Sequence, residues 1–108
     1  MVGPDIVNSI RGFLHALASD GLESSFGVLF GSQVTGKADK WSDIDLVVVS
    51  PRFDAGIRRE DVDRLWITAS LTDSRIEPVP CGEREWVEDD SRAIIEIARR
   101  EGVVITPN

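Results

Sequence analysis

The chain has 108 residues, a length that predicts a single domain spanning residues 1–108. Twelve Lys and Arg residues against nineteen Asp and Glu give a formal net charge of −7. This acidity argues against non-specific nucleic-acid binding, whose affinity comes from cations that neutralise phosphates. The longest apolar run, residues 46–49, is far too short to span a membrane.

Cysteine usage and the first residues suggest a compartment. Cys81 is the only cysteine, so the chain cannot form an internal disulfide. The sequence begins without the basic and apolar regions of a signal peptide. We therefore expect a cytoplasmic protein with no membrane association.

The first half of the sequence predicts one helix and two strands. Apolar residues recur at helical spacing after Pro4, which predicts a helix over Pro4–Ser19. A first strand is expected over residues 25–30. A second, rich in β-branched residues, is expected over Ile44–Val49.

The second half predicts two more helices and two more strands. A helix over residues 59–71 places Trp66 on its apolar face, and a short strand follows over residues 75–79. A helix beginning near Ala93 is closed by Gly102, and a last strand follows at Val103–Ile105. This order predicts an α+β fold, a small mixed β-sheet with helices packed mainly on one face.

Two carboxylates open the second strand. Side chains alternate along a strand, so Asp43 and Asp45 share one face while Ile44 points to the other. Two carboxylates on one face repel each other, an arrangement usually tolerated when a cation lies between them. The alternative is a solvated strand entrance, because Asp commonly flanks strands.

Gly31 and Ser32 stand at the end of the first strand. A glycine allows a ligand to approach the backbone closely, and a serine hydroxyl with free N–H groups suits phosphate oxygens. A hairpin-like return would set Asp43 and Asp45 beside them. The alternative is an ordinary turn followed by an N-cap serine.

These residues resemble a known signature. Gly31 and Ser32, ten further residues, and then Asp43-Ile44-Asp45 look like the Gly-Ser-x10-Asp-x-Asp motif of the DNA polymerase beta-like nucleotidyltransferase superfamily. The similarity is greatest to its minimal nucleotidyltransferase (MNT) branch, and the specific match covers residues 28–49. It implies a nucleotidyltransferase core. The matching positions are Gly31, Ser32, Gly36, Ser42, Asp43 and Asp45.

The family uses a third carboxylate on a neighbouring strand, often Asp, and Glu77 is the candidate here. This is a departure in residue type that keeps the charge on a longer arm. Pro78 and Pro80 cannot donate hydrogen bonds to a sheet, so their strand is expected at an edge. The alternative for Glu77 is an exposed edge-strand carboxylate that deters aggregation.

The resemblance implies a Mg²⁺-dependent enzyme that transfers a nucleoside monophosphate, AMP from ATP, to a hydroxyl. Asp43, Asp45 and Glu77 would be the catalytic residues and would hold Mg²⁺, expected as two ions. Gly31 and Ser32 would bind the nucleotide phosphates.

The resemblance also implies a partner. Larger members carry a second helical domain, so we expect a partner protein, a second copy in a homo-oligomer, or the acceptor to complete this site. Minimal members often act as the antitoxin of a HEPN toxin, which makes a protein adenylyltransferase in a HEPN/MNT pair the leading hypothesis. The alternative is a binding module, weakly catalytic or non-catalytic, that neutralises its partner by contact.

Several other residues stay ambiguous in the sequence. Trp41 could stack on a base or pack as a lid, and Trp66 is expected in the core. Four cations near the motif could touch phosphate or be solvated surface charges: Lys37, Lys40, Arg58 and Arg59.

Overall fold

The computed structural model describes residues 2–88 and 92–108. None of the helices in this part of the chain is long and apolar enough to cross a membrane. The helices are α1 (Pro4–Ser19), α2 (Ser32–Thr35), α3 (Arg59–Thr72), α4 (Glu83–Glu88) and α5 (Ala93–Glu101). The strands are β1 (Phe26–Phe30), β2 (Ile44–Val49), β3 (Ile76–Cys81) and β4 (Val103–Ile105), and a 3₁₀ turn covers Pro51–Phe53.

The four strands form one mixed sheet in the order β3-β2-β1-β4. β1 is antiparallel to both β2 and β4, and β2 is parallel to β3. The register sets Asp45 opposite Phe30 on one side and opposite Glu77 on the other. The carboxyl end of β1 therefore lies beside the amino ends of β2 and β3, and the predicted α+β fold is confirmed.

The two long helices, α1 and α3, pack on one face of the sheet. Ile44, Leu46 and Val48 of β2 point into this layer, as the alternation of side chains predicts. The layer is fully apolar and holds the largest buried side chains, so it forms the main core. Its helix and sheet members include Ile10, Phe13, Leu14, Leu17, Leu29, Leu65, Ala69 and Ile76.

The opposite face of the sheet is covered by α5, with a contribution from α4. Val47 and Val49 of β2 pack there with Ile95 and Ala98 of α5. Trp86 of α4 meets Phe26 edge to face, with ring centroids 5.9 Å apart. β2 is apolar on both faces, and such a strand must be covered on both sides.

Three local details differ from the sequence prediction. Trp66 is 47% exposed, so its assignment to the core is wrong. It follows Leu65, and one residue of a helix turns the side chain about 100° away from the buried stripe. β3 continues to Cys81 at a sheet edge, and its prolines fit that position. The sequence analysis did not predict α4, because its six residues are too few and too charged to show an apolar periodicity.

Candidate active site

The turn after β1 brings the backbone against a carboxylate. Gly31 has φ 79° and ψ −149°, a conformation that residues with a Cβ rarely adopt. A Cβ at this position would also collide with Oδ2 of Asp45. Both the backbone angle and the approach of Asp45 therefore require glycine here. This contact confirms that the hairpin return sets Asp45 beside Gly31.

Ser32 begins α2 directly after this glycine. The carbonyl of Gly31 accepts hydrogen bonds from the N–H groups of Val34 and Thr35, at 3.0 and 3.1 Å. The N–H groups of the first helical residues, Ser32 and Gln33, have no partner within a helix. The turn thus presents a hydroxyl and backbone donors at the mouth where Asp45 lies.

Gln33 is a positioning residue that the sequence analysis missed. Its Nε2 donates to the carbonyl oxygens of Ser42, at 3.4 Å, and Asp43, at 3.3 Å. These bonds tie the start of β2 to α2 and so hold Asp43 near the glycine turn. The only signal in the sequence was its place inside the motif, two residues after Gly31.

The structure brings the three predicted carboxylates together. Asp43 immediately precedes β2 and is exposed, whereas Asp45 and Glu77 are partly buried. Asp45 and Glu77 are paired in the parallel register, so their side chains leave the same face of the sheet. All three lie at the amino ends of the neighbouring strands β2 and β3, and Asp45 is the one in contact with Gly31.

The surroundings of Asp45 and Glu77 disfavour the negative charge of their carboxylates. Burial, followed by the charge of Asp43, raises the pKa of Asp45, and a hydrogen bond with Glu77 opposes that rise. Burial also raises the pKa of Glu77, which is raised further by the charges of Asp43 and Asp45 and by hydrogen bonds with both. The ionised form of Glu77 is therefore disfavoured by burial and by its acidic neighbours.

The same donor set fits a divalent cation. Within residues 2–88 and 92–108, no three His, Cys, Asp or Glu side chains are already arranged to hold a metal ion. Glu77 instead hydrogen-bonds with Asp43 and Asp45. Carboxylate oxygens are the ligands that Mg²⁺ prefers, and a cation would relieve the repulsion that raises the pKa values of Asp45 and Glu77. Asp43, Asp45 and Glu77 are the residues that would hold it.

The segment before β3 positions Glu77. Asp73 Oδ1 accepts hydrogen bonds from the backbone N and the Nε of Arg75, and Oδ2 accepts from Nη2 at 2.7 Å. The Arg75 guanidinium lowers the pKa of Asp73 to about 2. The carbonyl of Arg75 then accepts from the N–H of Ile44 at 2.8 Å. This turn fixes the register between β3 and β2, and with it the pairing of Glu77 with Asp45.

The remaining candidates separate into two groups. Arg58 and Arg59 follow the other end of β2, at the start of α3, so they lie away from the carboxylates and fit the interpretation as surface charges. Lys37, Lys40 and Trp41 lie in the loop that connects α2 to β2 and ends at Asp43. Trp41 is 78% exposed, which excludes its role as a packing lid.

Burial raises the pKa of Cys81 to about 12, so its thiol is not a nucleophile.

Comparison with known proteins identifies the fold and the family. The family model described as a nucleotidyltransferase domain matches residues 10–101, most of the chain. The chain belongs to the nucleotidyltransferase domain family. This family implies transferase activity on a nucleoside triphosphate, and membership confirms the resemblance carried by the Gly-Ser and Asp-x-Asp residues.

A solved structure supports the fold of this nucleotidyltransferase domain. A Sulfolobus solfataricus protein with a provisional nucleotidyltransferase assignment superposes with a TM-score of 0.58 at 18% sequence identity. The match covers 93% of this chain and 78% of that one. At this identity the likeness concerns the fold alone. No curated protein matches the chain.

Proposed function

We propose that this nucleotidyltransferase domain transfers AMP from ATP to a hydroxyl group on a partner protein, as the antitoxin of a HEPN/MNT pair. The observation that carries the proposal is the contact of Asp45 with the Gly31 turn on one side and its pairing with Glu77 on the other, with Asp43 within electrostatic reach. Such a site combines groups for phosphate, for a divalent cation and for a proton. Nucleotidyl transfer needs all three.

Each residue has a distinct part in the proposed reaction. Asp43 and Asp45 would hold Mg²⁺, expected as two ions, whose charge would neutralise the triphosphate and favour attack at its α-phosphorus. The Ser32 hydroxyl and the N–H groups that follow Gly31 orient the phosphates. The acceptor oxygen forms a bond to the α-phosphorus as the bond to the β-phosphate oxygen breaks and pyrophosphate leaves. Glu77 would bind the second ion or, in its ionised form, accept the proton of the acceptor hydroxyl.

A protein acceptor is supported by exposed apolar residues on α3. Trp66 is 47% exposed, Ile67 59% and Leu71 80%, although each lies in a regular helix that packs its other side on the core. Exposed apolar side chains grouped on one element are typical of protein-binding surfaces. We propose that a partner covers this side of α3.

Nucleotide binding is the first step to test. ATP is titrated calorimetrically into the protein with Mg²⁺ and, separately, with EDTA. We expect Mg²⁺-dependent binding that Asp43→Asn abolishes, because a neutral amide is a poor ligand for Mg²⁺. The matched control is Asp63→Asn, which removes one negative charge from an exposed position on α3. Unchanged ATP affinity in a folded Asp43→Asn variant would refute the cation-bridged site.

The acceptor is tested with a HEPN-type partner. The two proteins are incubated with ATP labelled at the α-phosphate or at the γ-phosphate. We expect label on the partner only from the α-position, and mass spectrometry then identifies the modified side chain. If the variant Asp43→Asn/Asp45→Asn still neutralises the partner without transferring label, the protein acts by contact and the catalytic proposal is wrong.

A further inference from the structure

The loop between α2 and β2 has an unusual composition. It carries both lysines of the chain, Lys37 and Lys40, together with one of the three tryptophans. Every ion pair found within residues 2–88 and 92–108 uses an arginine, although acids outnumber bases nineteen to twelve. Neither lysine forms an ion pair with a residue in these ranges, so both ammonium groups remain available to a ligand beside the carboxylate site.

Trp41 presents its indole ring to solvent from this loop. The side chain is 78% exposed, and the Nζ of Lys40 lies 4.9 Å from the ring centroid, over one face. A cation at this distance is attracted to the π system of the ring. Because so much of the indole is exposed, its other face is open to a ligand, and the side chain has little part in packing.

The loop holds Trp41 in place through its backbone. Asp39 Oδ1 accepts a hydrogen bond from the N–H of Trp41 at 2.8 Å, and the N–H of Asp39 donates to Ser42 Oγ at 2.9 Å. The bonds from Gln33 to the carbonyls of Ser42 and Asp43 attach the end of the loop to α2. The ring is thus displayed on an ordered turn, two residues before Asp43.

We propose that Trp41, with Lys40 over one face, stacks on the base of the nucleoside triphosphate. This inference rests on the proposed function, since it places the phosphates of the same ligand at Gly31 and Ser32. Two residues of extended chain span at most about 7 Å, so the indole lies within one nucleotide's reach of Asp43. A flat ring beside ammonium groups matches a ligand that is itself a flat ring carrying phosphates.

Stacking accepts any base, because every base has a π face. This site therefore favours a nucleotide over a phosphate chain without a base, and it discriminates weakly between ATP and GTP. Removing an aromatic platform of this kind weakens binding by about 5- to 100-fold.

The test compares two ligands that differ by the nucleoside. ATP and inorganic tripolyphosphate are titrated calorimetrically, each with Mg²⁺, into the wild type, Trp41→Ala, Val87→Ala and Asp43→Asn. We expect Trp41→Ala to weaken ATP binding by about 5- to 100-fold while tripolyphosphate affinity is unchanged. Val87→Ala, a control at a side chain that is 77% exposed on α4, leaves both affinities unchanged, and Asp43→Asn abolishes binding of both ligands.

The outcomes separate this inference from the proposed function. If the wild type binds ATP but Trp41→Ala binds it equally well, or loses ATP and tripolyphosphate to the same extent, the stacking role is wrong and the nucleotide site stands. If the wild type binds neither ligand with Mg²⁺, the proposed function fails and the inference with it. Circular dichroism of each variant checks the fold, which truncation of so exposed a side chain should preserve.

Discussion

Asp73 and Glu77 lie four residues apart on the segment that enters β3, and their environments are opposite. Asp73 is clasped by the guanidinium of Arg75, which lowers its pKa to about 2. Glu77 faces Asp43 and Asp45, and burial together with these like charges raises its pKa. The first carboxylate stabilises the fold as an anion, whereas the second is held where its negative charge is unfavourable.

This difference indicates what each part of the segment is for. The ion pair between Asp73 and Arg75 fixes the register of β3 and needs no ligand to complete it. A cluster of three carboxylates lowers stability unless a cation joins it, and perturbed groups of this kind concentrate at functional sites. The substitutions that follow should therefore affect either function or stability, according to the region in which they lie.

The largest effect is expected from Asp45→Asn. Loss of this ligand should reduce Mg²⁺-dependent ATP binding and transfer by about 100-fold or more, because cation coordination contributes several kcal/mol. In EDTA the variant should be at least as stable as the wild type, since one source of repulsion is removed. Calorimetric titration and thermal unfolding measure the two quantities. A variant that unfolds more easily in EDTA would contradict the division between the two regions.

A second comparison uses two glycines with nearly the same φ. Gly31 has φ 79° and ψ −149°, and Gly36 has φ 81° and ψ 10°. An alanine at Gly36 is strained by about 1–2 kcal/mol in this left-handed conformation, and the conformation of Gly31 tolerates a side chain even less. Only at Gly31 does the new Cβ meet Asp45, because no atom lies within 4 Å of a Cβ at Gly36. We expect Gly31→Ala to lose more stability than Gly36→Ala in urea unfolding, and Gly31→Ala alone to lose Mg²⁺-dependent ATP affinity, by about tenfold or more. Equal losses of affinity would show that the contact with Asp45 has no functional role.

A loss of stability with the site still formed is expected from Asp73→Asn, because the asparagine oxygen can still accept the hydrogen bond from the backbone N of Arg75 that shapes the turn. The ordinary pKa of this group is 3.8 and its folded value about 2, so the unfolded chain binds the proton more tightly. The stabilisation is therefore complete above pH 4, is lost as the pH falls towards 2, and amounts to about 2 kcal/mol. Urea unfolding of the wild type and variant between pH 2 and 7 should give curves that converge in acid. A constant difference across that range would exclude the Arg75 pair as the cause.

The fold was predictable where side chains alternate or recur with a clear period along an element. Alternation in β2 separated Ile44 and Leu46 from Asp45, and the structure keeps that separation. The pairing of Asp45 with Glu77 was only a hypothesis, because parallel register depends on how α3 and the Asp73 turn return the chain.

Other features depend on contacts that no periodicity reports. The bonds of Gln33 join two carbonyls nine and ten residues away, which a local pattern does not encode. The exposure of Trp66 depends on one step of rotation along α3, and that of Trp41 on the turn built by Asp39. Side chains at surfaces and in loops are therefore where sequence reasoning was weakest here.

The smallest effect is expected from Glu77→Gln in metal-free buffer, and it should have the opposite pH dependence to Asp73→Asn. The pKa of Glu77 is raised above 4.5 in the folded chain, so the folded chain binds this proton more tightly than the unfolded chain does. The stability due to this group is present below pH 4.5 and is lost as the pH rises through the folded pKa. The wild type should therefore lose stability relative to Glu77→Gln as the pH rises from 4 towards 7. Added Mg²⁺ should stabilise the wild type more than the variant, because Glu77→Gln leaves only Asp43 and Asp45 to hold the cation. If the stabilities of the wild type and Glu77→Gln in EDTA change in parallel with pH, Glu77 does not share its site with Asp43 and Asp45. The contrast between Asp73 and Glu77 on this segment would then be wrong.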